Sequence, residues 1–189
     1  MNSLDIIALS ALLGCVLGVA LAVASWAGNT VVKALVTFYV EVFRTTPALL
    51  QLMYVYLVLP PLANIDLDPI TAAWITIGMN TAAFFSEILK AGFQSVEKTQ
   101  INAAYVLRLS KADALRFVIF PQLIRNVFPP TAALFITIVK YSSLAAGIGA
   151  LELTRVSQLI AVETFRLVEV LTIAAVIYFV MAYPLALLA

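Results

Sequence analysis

One long polar stretch, residues 93–120, interrupts a chain whose remaining sequence is mostly apolar. Of the 189 residues, 63% are hydrophobic and 11% are charged, and the mean hydropathy is +1.06. A soluble domain of this size could not bury so much apolar surface. We therefore expect an all-α membrane protein that forms a single domain over residues 1–189. Its polar stretch must leave the bilayer, fold on the membrane surface and return.

Five segments are each long enough, at about 20 residues, to cross the hydrocarbon core as a helix. They are predicted at residues 4–26, 31–59, 69–91, 121–141 and 165–189. Residues 142–163 form a less hydrophobic connection, which is expected to be partly helical. In the first span, Gly14 and Gly18 have the spacing of small residues that lets two helices pack closely.

The basic residues predict how the chain is oriented. If the N-terminus lies outside, seven lysines and arginines flank the spans on the cytoplasmic side and three flank them on the outer side. The inner seven are Lys33, Lys90, Lys98, Arg108, Lys111, Arg116 and Arg125, and the outer three are Lys140, Arg155 and Arg166. The positive-inside rule therefore favours an N-out/C-in topology with the polar stretch in the cytoplasm.

The composition also excludes several classes of function. The chain has no histidine and one cysteine, Cys15, which removes internal disulfides, zinc sites and histidine-dependent catalysis. No P-loop sequence occurs, so any dependence on ATP must come from another subunit. A formal net charge of +1 argues against nucleic-acid binding. We expect no catalytic residues, no metal site and no cofactor bound by this chain.

Two short helices are predicted within the polar stretch. Thr99 is a candidate N-cap for a helix that runs to about Leu107. Ser110 and Asp113 have the spacing of a capping box, so a second helix should begin there and run toward Phe120. Small side chains at residues 103 and 104 would suit close approach to a groove in a partner. An ordinary cytoplasmic loop folded on its own membrane domain fits the spacing equally well.

The second span carries unusual chemistry for a membrane helix. One helical face combines Thr37, Glu41, Arg44 and Gln51. Glu41 and Arg44 are close enough to pair, and Pro47 should kink the helix and free the carbonyl of Phe43. An ionisable pair at this depth is costly unless it faces protein or water, and such places are typical of transporter substrate paths. The alternative is a buried ion pair that only locks the helix into the bundle.

Other spans supply further candidates for a polar path. The third span has Thr76, Asn80 and Glu87 at helical spacing, and the fourth ends at Lys140 and Ser143. Lys140 could equally be an interfacial anchor, because long basic side chains extend to the membrane surface. The complete set of predicted path residues is Glu41, Arg44, Gln51, Asn80, Glu87, Lys140, Ser143 and Glu163.

The polar stretch resembles the EAA loop of bacterial ABC-importer permeases, in which Glu-Ala-Ala is followed by Gly and then by Ile-x-Leu-Pro. This chain has Asn102-Ala103-Ala104, then Arg108 in the place of Gly, then Ile119-Phe120-Pro121. Asn102 would cap a helix less well than Glu, and Arg108 adopts a left-handed turn less cheaply than Gly.

Three further motifs narrow the resemblance to the polar amino-acid uptake group, of histidine, glutamine, arginine and opine type. Residues 39–47 are similar to its Tyr-x-Glu-x-Phe-Arg-Gly-Thr-Pro signature, with Thr45 where Gly is usual. Residues 80–87 look like its third-span signature, and residues 140–144 resemble its Lys-Asp-Thr-Ser-Leu, with Tyr141 where an acid is usual.

The resemblance implies a type I ABC importer transmembrane domain in a bacterial inner membrane. Implied partners are a second permease subunit, identical or homologous, two ATPase subunits that hold ATP and Mg²⁺, and an extracytoplasmic amino-acid-binding protein. The substrate would be a polar amino acid or opine. The residues expected to couple to the ATPase are Thr99, Asn102, Ala103, Ala104, Leu107, Arg108 and Lys111. The alternative function is a subunit of an ion-gradient-driven secondary transporter or channel.

Overall fold

The computed structural model describes residues 2–187, and every regular element in this range is helical, which confirms the predicted all-α class. The helices are α1 (Asn2–Ala27), α2 (Thr30–Thr45), α3 (Ala48–Ala63), α4 (Pro69–Gln94), α5 (Lys98–Val106), α6 (Lys111–Ile148), α7 (Leu153–Thr164) and α8 (Leu167–Ala186). Helix α3 contains a π-helical segment at Tyr54–Val58, and α6 contains another at Leu115–Ile119. The predicted end of the last span, at Ala189, lies outside the described residues.

Short polar side chains fix where several helices begin. The Asn29 side chain accepts a hydrogen bond from the Val32 N–H at the start of α2. Asp68 accepts from the N–H groups of Ile70 and Thr71 at the start of α4. The pKa of Asp68 is lowered, mostly by a hydrogen bond from the Thr71 side chain and to a lesser extent by one from the Thr71 backbone. These caps satisfy amides that a helix cannot pair internally.

Helices α1 and α4 run side by side in the same direction. Near one end the Ser10 hydroxyl donates to the Trp74 carbonyl, and at the other end the ring of Trp26 stacks on Phe93 with 6.0 Å between centroids. A Cβ added to Gly14 would lie 2.5 Å from Cγ2 of Thr81. The predicted role of the small residues in close packing is confirmed.

Within residues 2–187, three helices, α1, α6 and α8, are long and apolar enough to cross a membrane, and α2 with α3 would make a fourth span if the bent pair counts as one. Helix α4 has 26 residues and would be about 39 Å long. Its sequence is less apolar because it carries several polar residues that are buried against protein, among them Thr76, Asn80, Thr81 and Ser86. The count of five spans stays a prediction.

The prediction of one continuous second span was wrong. Residues 30–45 and 48–63 are separate helices that meet at an angle of 107°. The break lies at Thr46 and Pro47, where a proline kink was expected, but the bend is far sharper than a kink. Proline cannot donate the hydrogen bond that would continue α2, and both residues have extended backbone.

The boundary predicted between the polar stretch and the fourth span was also wrong. Helix α6 begins at Lys111 and continues without interruption through Pro121 to Ile148. Pro121 lies in the first turn of the α-helical segment that follows the π-helical segment, where the helix needs no donor from it. The connection at 142–163 is partly helical, as predicted, because α7 occupies Leu153–Thr164.

Candidate functional site

A group of three charged side chains links α2 to α4. The Arg44 guanidinium lies 3.4 Å from Oε2 of Glu87, and the Lys90 ammonium lies 3.3 Å from Oε1 of the same carboxylate. The guanidinium also lies 5.7 Å from the centre of the Phe84 ring. The predicted pairing of Arg44 with Glu41 was wrong. In the described part of the chain Glu41 forms no salt bridge, because Arg44 extends across to α4.

Arg44 and Glu87 line a cavity of about 480 Å³ between α2, α4 and the first half of α6. Asn126 of α6 also lines it, and its amide donates to the Ser95 hydroxyl at 2.7 Å. Both charged side chains are about one-third to two-fifths exposed. The cavity therefore offers both signs of charge and an amide, which are the groups that bind a zwitterion.

The side chains of Gln51 and Asn80 are held by the broken helix. The Gln51 amide nitrogen donates to the carbonyls of Phe43 and Thr46 and to the Thr46 hydroxyl. The Asn80 amide nitrogen donates to the same Phe43 carbonyl and to Oε1 of Gln51, both at 3.0 Å. The carbonyl of Phe43 was expected to be freed by Pro47, and these two amides satisfy it.

The remaining predicted path residues lie elsewhere. Lys140, Ser143 and Glu163 do not line the cavity between α2, α4 and α6. Lys140 and Glu163 are exposed, and the Ser143 hydroxyl donates to the Lys140 carbonyl at 2.6 Å. The structure therefore brings together Arg44 and Glu87 at the cavity, with Asn80 and Gln51 at the neighbouring helix break.

Glu152 was missed as a structurally important residue. Its side chain is 1% exposed, and it accepts from the N–H groups of Thr154 and Arg155 at the start of α7. The Tyr178 hydroxyl of α8 donates to Oε2 of the same carboxylate at 2.8 Å. The sequence carries little signal for this role, because Glu is not among the side chains that helices prefer as N-caps, and the bond from Tyr178 comes from a residue 26 positions away.

The polar stretch folds largely as predicted in its second half. The Asp113 N–H donates to the Ser110 hydroxyl, which in turn donates to the Asp113 carboxylate at 2.6 Å, so the predicted Ser110 cap is confirmed. The predicted Thr99 N-cap was wrong, because α5 already begins at Lys98. The Thr99 hydroxyl donates to the Glu97 carboxylate, and the Glu97 carbonyl accepts the first helical hydrogen bonds.

The two alanines of α5 differ in burial. Ala104 is 3% exposed and packs into the fold, whereas Ala103 is exposed beside Leu107, which is 74% exposed. Asn102 and Lys111 are exposed as well. Ala103, Val106 and Leu107 therefore form a small apolar surface on the exposed side of α5.

Arg108 ends α5 in the left-handed conformation, with φ of 58°. The Leu109 N–H donates to the Ala104 carbonyl at 3.1 Å, which is the hydrogen bond of a Schellman turn. This is the conformation that favours glycine. Here an arginine adopts it, at a cost of about 1 kcal/mol relative to glycine.

Comparison with known proteins agrees with this architecture. The model of the family described as "Binding-protein-dependent transport system inner membrane component" matches residues 14–189. The glutamine transport system permease protein of Escherichia coli (strain K12) is 35% identical over 174 residues, covering 92% of this chain and 80% of that protein. The arginine transport system permease protein of Bacillus subtilis (strain 168) is 33% identical, covering 95% and 82%.

Solved structures show the same fold. A crystal structure described as an amino acid ABC transporter with histidines superposes with a TM-score of 0.88 at 33% identity, covering 97% of this chain and 86% of that one. An inward-facing methionine ABC transporter superposes with a TM-score of 0.76 at 18% identity and shows the fold alone. The resemblance found in the sequence is confirmed: the chain belongs to the family of inner membrane components of binding-protein-dependent transport systems.

Proposed function

We propose that this chain is a permease subunit of an ATP-driven bacterial importer for a polar amino acid or opine. Two of its relatives are named for transport of glutamine and arginine, and a solved relative is an amino acid ABC transporter. Permease subunits of this family are not catalytic. ATP and Mg²⁺ would be held by separate ATPase subunits, and this chain would supply the gated path.

The observation that carries the proposal is the exposed surface of α5. A helix that is closed at its C-terminal end by the Schellman turn and anchored by buried Ala104 presents Ala103, Val106 and Leu107 outward. The continuous α6 joins this segment to the membrane core. Displacement of α5 by a partner would therefore be transmitted along α6 to Asn126 at the cavity. This geometry supports coupling through residues 99–113.

The cavity supports a role in the path for two of the predicted residues. Arg44 could face a substrate carboxylate, and Glu87 could face an ammonium group, because both line the same space. Asn80 and Gln51 would brace the path by holding the helix break. Lys140, Ser143, Glu41 and Glu163 lie outside this cavity, and we propose that they line other parts of the path.

The assembly that we propose has a second permease subunit, two ATPase subunits and an extracytoplasmic binding protein. The N-terminus would lie outside and the polar stretch in the cytoplasm. Seven basic residues flank the spans on the proposed cytoplasmic side and three flank them on the outer side, which supports this orientation. The stacked Trp26 and Phe93 rings would then lie at the cytoplasmic interface, where aromatic side chains are common.

The decisive experiment replaces Ala103 in a complex that is purified with its co-expressed partners and reconstituted in proteoliposomes. We expect Ala103→Asp to abolish ATP-dependent amino-acid uptake, because the carboxylate would block close contact with the ATPase while Ala104 still anchors α5. Ala103→Ser is the matched control and should retain uptake, since a serine differs from alanine by one small oxygen. Normal uptake by the aspartate variant would refute coupling through this surface.

The same vesicles test the alternative function. An ion-gradient-driven transporter would take up substrate without ATP and without the binding protein. Uptake that persists under a sodium or proton gradient alone, with both of these omitted, would favour the alternative. The cavity charges by themselves do not discriminate, since either class of transporter needs a polar path.

A further inference from the structure

The exposed segment around α5 carries unpaired positive charge. Residues 97–116 contain four basic and two acidic residues. The acids are engaged locally, Glu97 by the Thr99 hydroxyl and Asp113 by the Ser110 hydroxyl. Among the described residues, Arg108, Lys111 and Arg116 form no salt bridge. These three cations therefore remain available to a partner.

Arg108 occupies a position where glycine would be more stable. Its φ of 58° places a long charged side chain in a conformation that disfavours any side chain. Residues in such strained conformations are held by the structure around them and cluster at functional sites. Among the described residues the guanidinium has no acidic partner, so its charge is available to an acidic group on a partner protein.

The cation stands beside the apolar part of the same surface. Val106 is 81% exposed and Leu107 is 74% exposed, and both directly precede Arg108. An apolar centre with charge at its edge is the usual composition of a protein interface. Charged groups at such an edge govern the choice of partner and the rate of association.

We infer that the ATPase subunit that serves this permease has an apolar groove with an acidic rim, and that Arg108 contacts this rim when Leu107 occupies the groove. The inference rests on the proposed function and adds the chemistry of the partner. A groove without acidic residues at its rim would bind this segment less tightly. The permease would therefore discriminate among ATPase subunits by charge.

The test uses Arg108→Gly, which should stabilise the backbone of this segment but weaken its contact with the ATPase subunit. Arg108→Gly relieves the backbone strain, so a merely structural arginine would be replaced without loss. We expect instead a two- to fivefold weaker affinity for the ATPase subunit that co-purifies with the chain, roughly the effect of one exposed ion pair. Affinity would be measured by titrating that subunit onto the permease in nanodiscs.

Salt and a charge-conserving control complete the experiment. The affinity of the unmodified permease should fall more steeply between 50 and 300 mM NaCl, as tested concentrations, than that of Arg108→Gly, because salt screens the ion pair. Arg108→Lys should keep most of the affinity and the salt dependence. Equal or tighter binding by Arg108→Gly with unchanged salt dependence would overturn the inference. If Ala103→Asp also bound normally, the proposed coupling surface itself would fail.

Discussion

Glu152 gives the sharpest test of how the α7–α8 end of the molecule is held. Its buried carboxylate accepts three hydrogen bonds, two from the start of α7 and one from Tyr178 of α8. Glu152→Gln keeps the size of the side chain but replaces one acceptor oxygen with a donor NH₂ group. We expect this single change to loosen the contact between α7 and α8.

The magnitude follows from the hydrogen bonds. Oε1 accepts from the Arg155 N–H at 2.8 Å, while Oε2 accepts from the Thr154 N–H and from the Tyr178 hydroxyl. Whichever oxygen the amide retains, at least one buried donor would face the NH₂ group. A hydrogen bond to a charged acceptor contributes about 1.5–3 kcal/mol, so we expect a loss of about 2 kcal/mol. For a protein of this size that corresponds to a melting temperature lower by about 4–8 °C.

Thermal unfolding of the purified permease in detergent, followed by tryptophan fluorescence, measures this shift. Glu163→Gln is the matched control, because Glu163 lies on the same helix and is exposed. It should change the melting temperature little, since exposed charges contribute little to stability. If Glu152→Gln melted at the same temperature as the unmodified protein, the reasoning that this carboxylate joins the two helices would be refuted.

Two further predictions concern charged groups elsewhere. Arg44→Ala should reduce uptake strongly but lower the free energy of unfolding by only about 0.2–1 kcal/mol, because the Arg44–Glu87 pair is partly exposed and Glu87 keeps Lys90 as a partner. Loss of the assembled complex in gel filtration would instead show that Arg44 braces the structure. The folded pKa of Asp68 is below its unfolded value of 3.8, so its contribution is present above pH 3.8 and is lost as pH falls through the folded pKa. Asp68→Asn should remove that part of the pH dependence in acid unfolding curves, and an unchanged curve would contradict it.

Local signals in the sequence predicted much of the fold. The Ser110 cap is formed by two residues that are three apart in the sequence, and the close packing at Gly14 follows from two glycines one helical turn apart. Both features could therefore be predicted from local spacing. The helical class and the family followed from hydropathy and from motifs in the right order. These features need no knowledge of which distant helices meet.

Long-range contacts explain what the sequence did not reveal. Arg44 pairs with Glu87, 43 residues away, whereas its local neighbour Glu41 offered a simpler but wrong pairing. Glu152 is buried because Tyr178 covers it. The bend of 107° at Pro47 is likewise far larger than the kink that a proline by itself predicts. In each case spacing predicted a plausible local partner, and tertiary packing supplied a different one.

The helix break decides which polar residues remain available for a substrate. Breaking α2 leaves its last carbonyls without helical partners, which is costly away from water. Gln51 and Asn80 both donate to the Phe43 carbonyl, and Asn80 also donates to Oε1 of Gln51, so their donors are already used. Arg44, which lies beyond that carbonyl near the end of α2, is thereby held beside the cavity with its partner Glu87. A substrate that entered the cavity would compete with an ion pair, whereas at the helix break it would have to displace hydrogen bonds to the backbone.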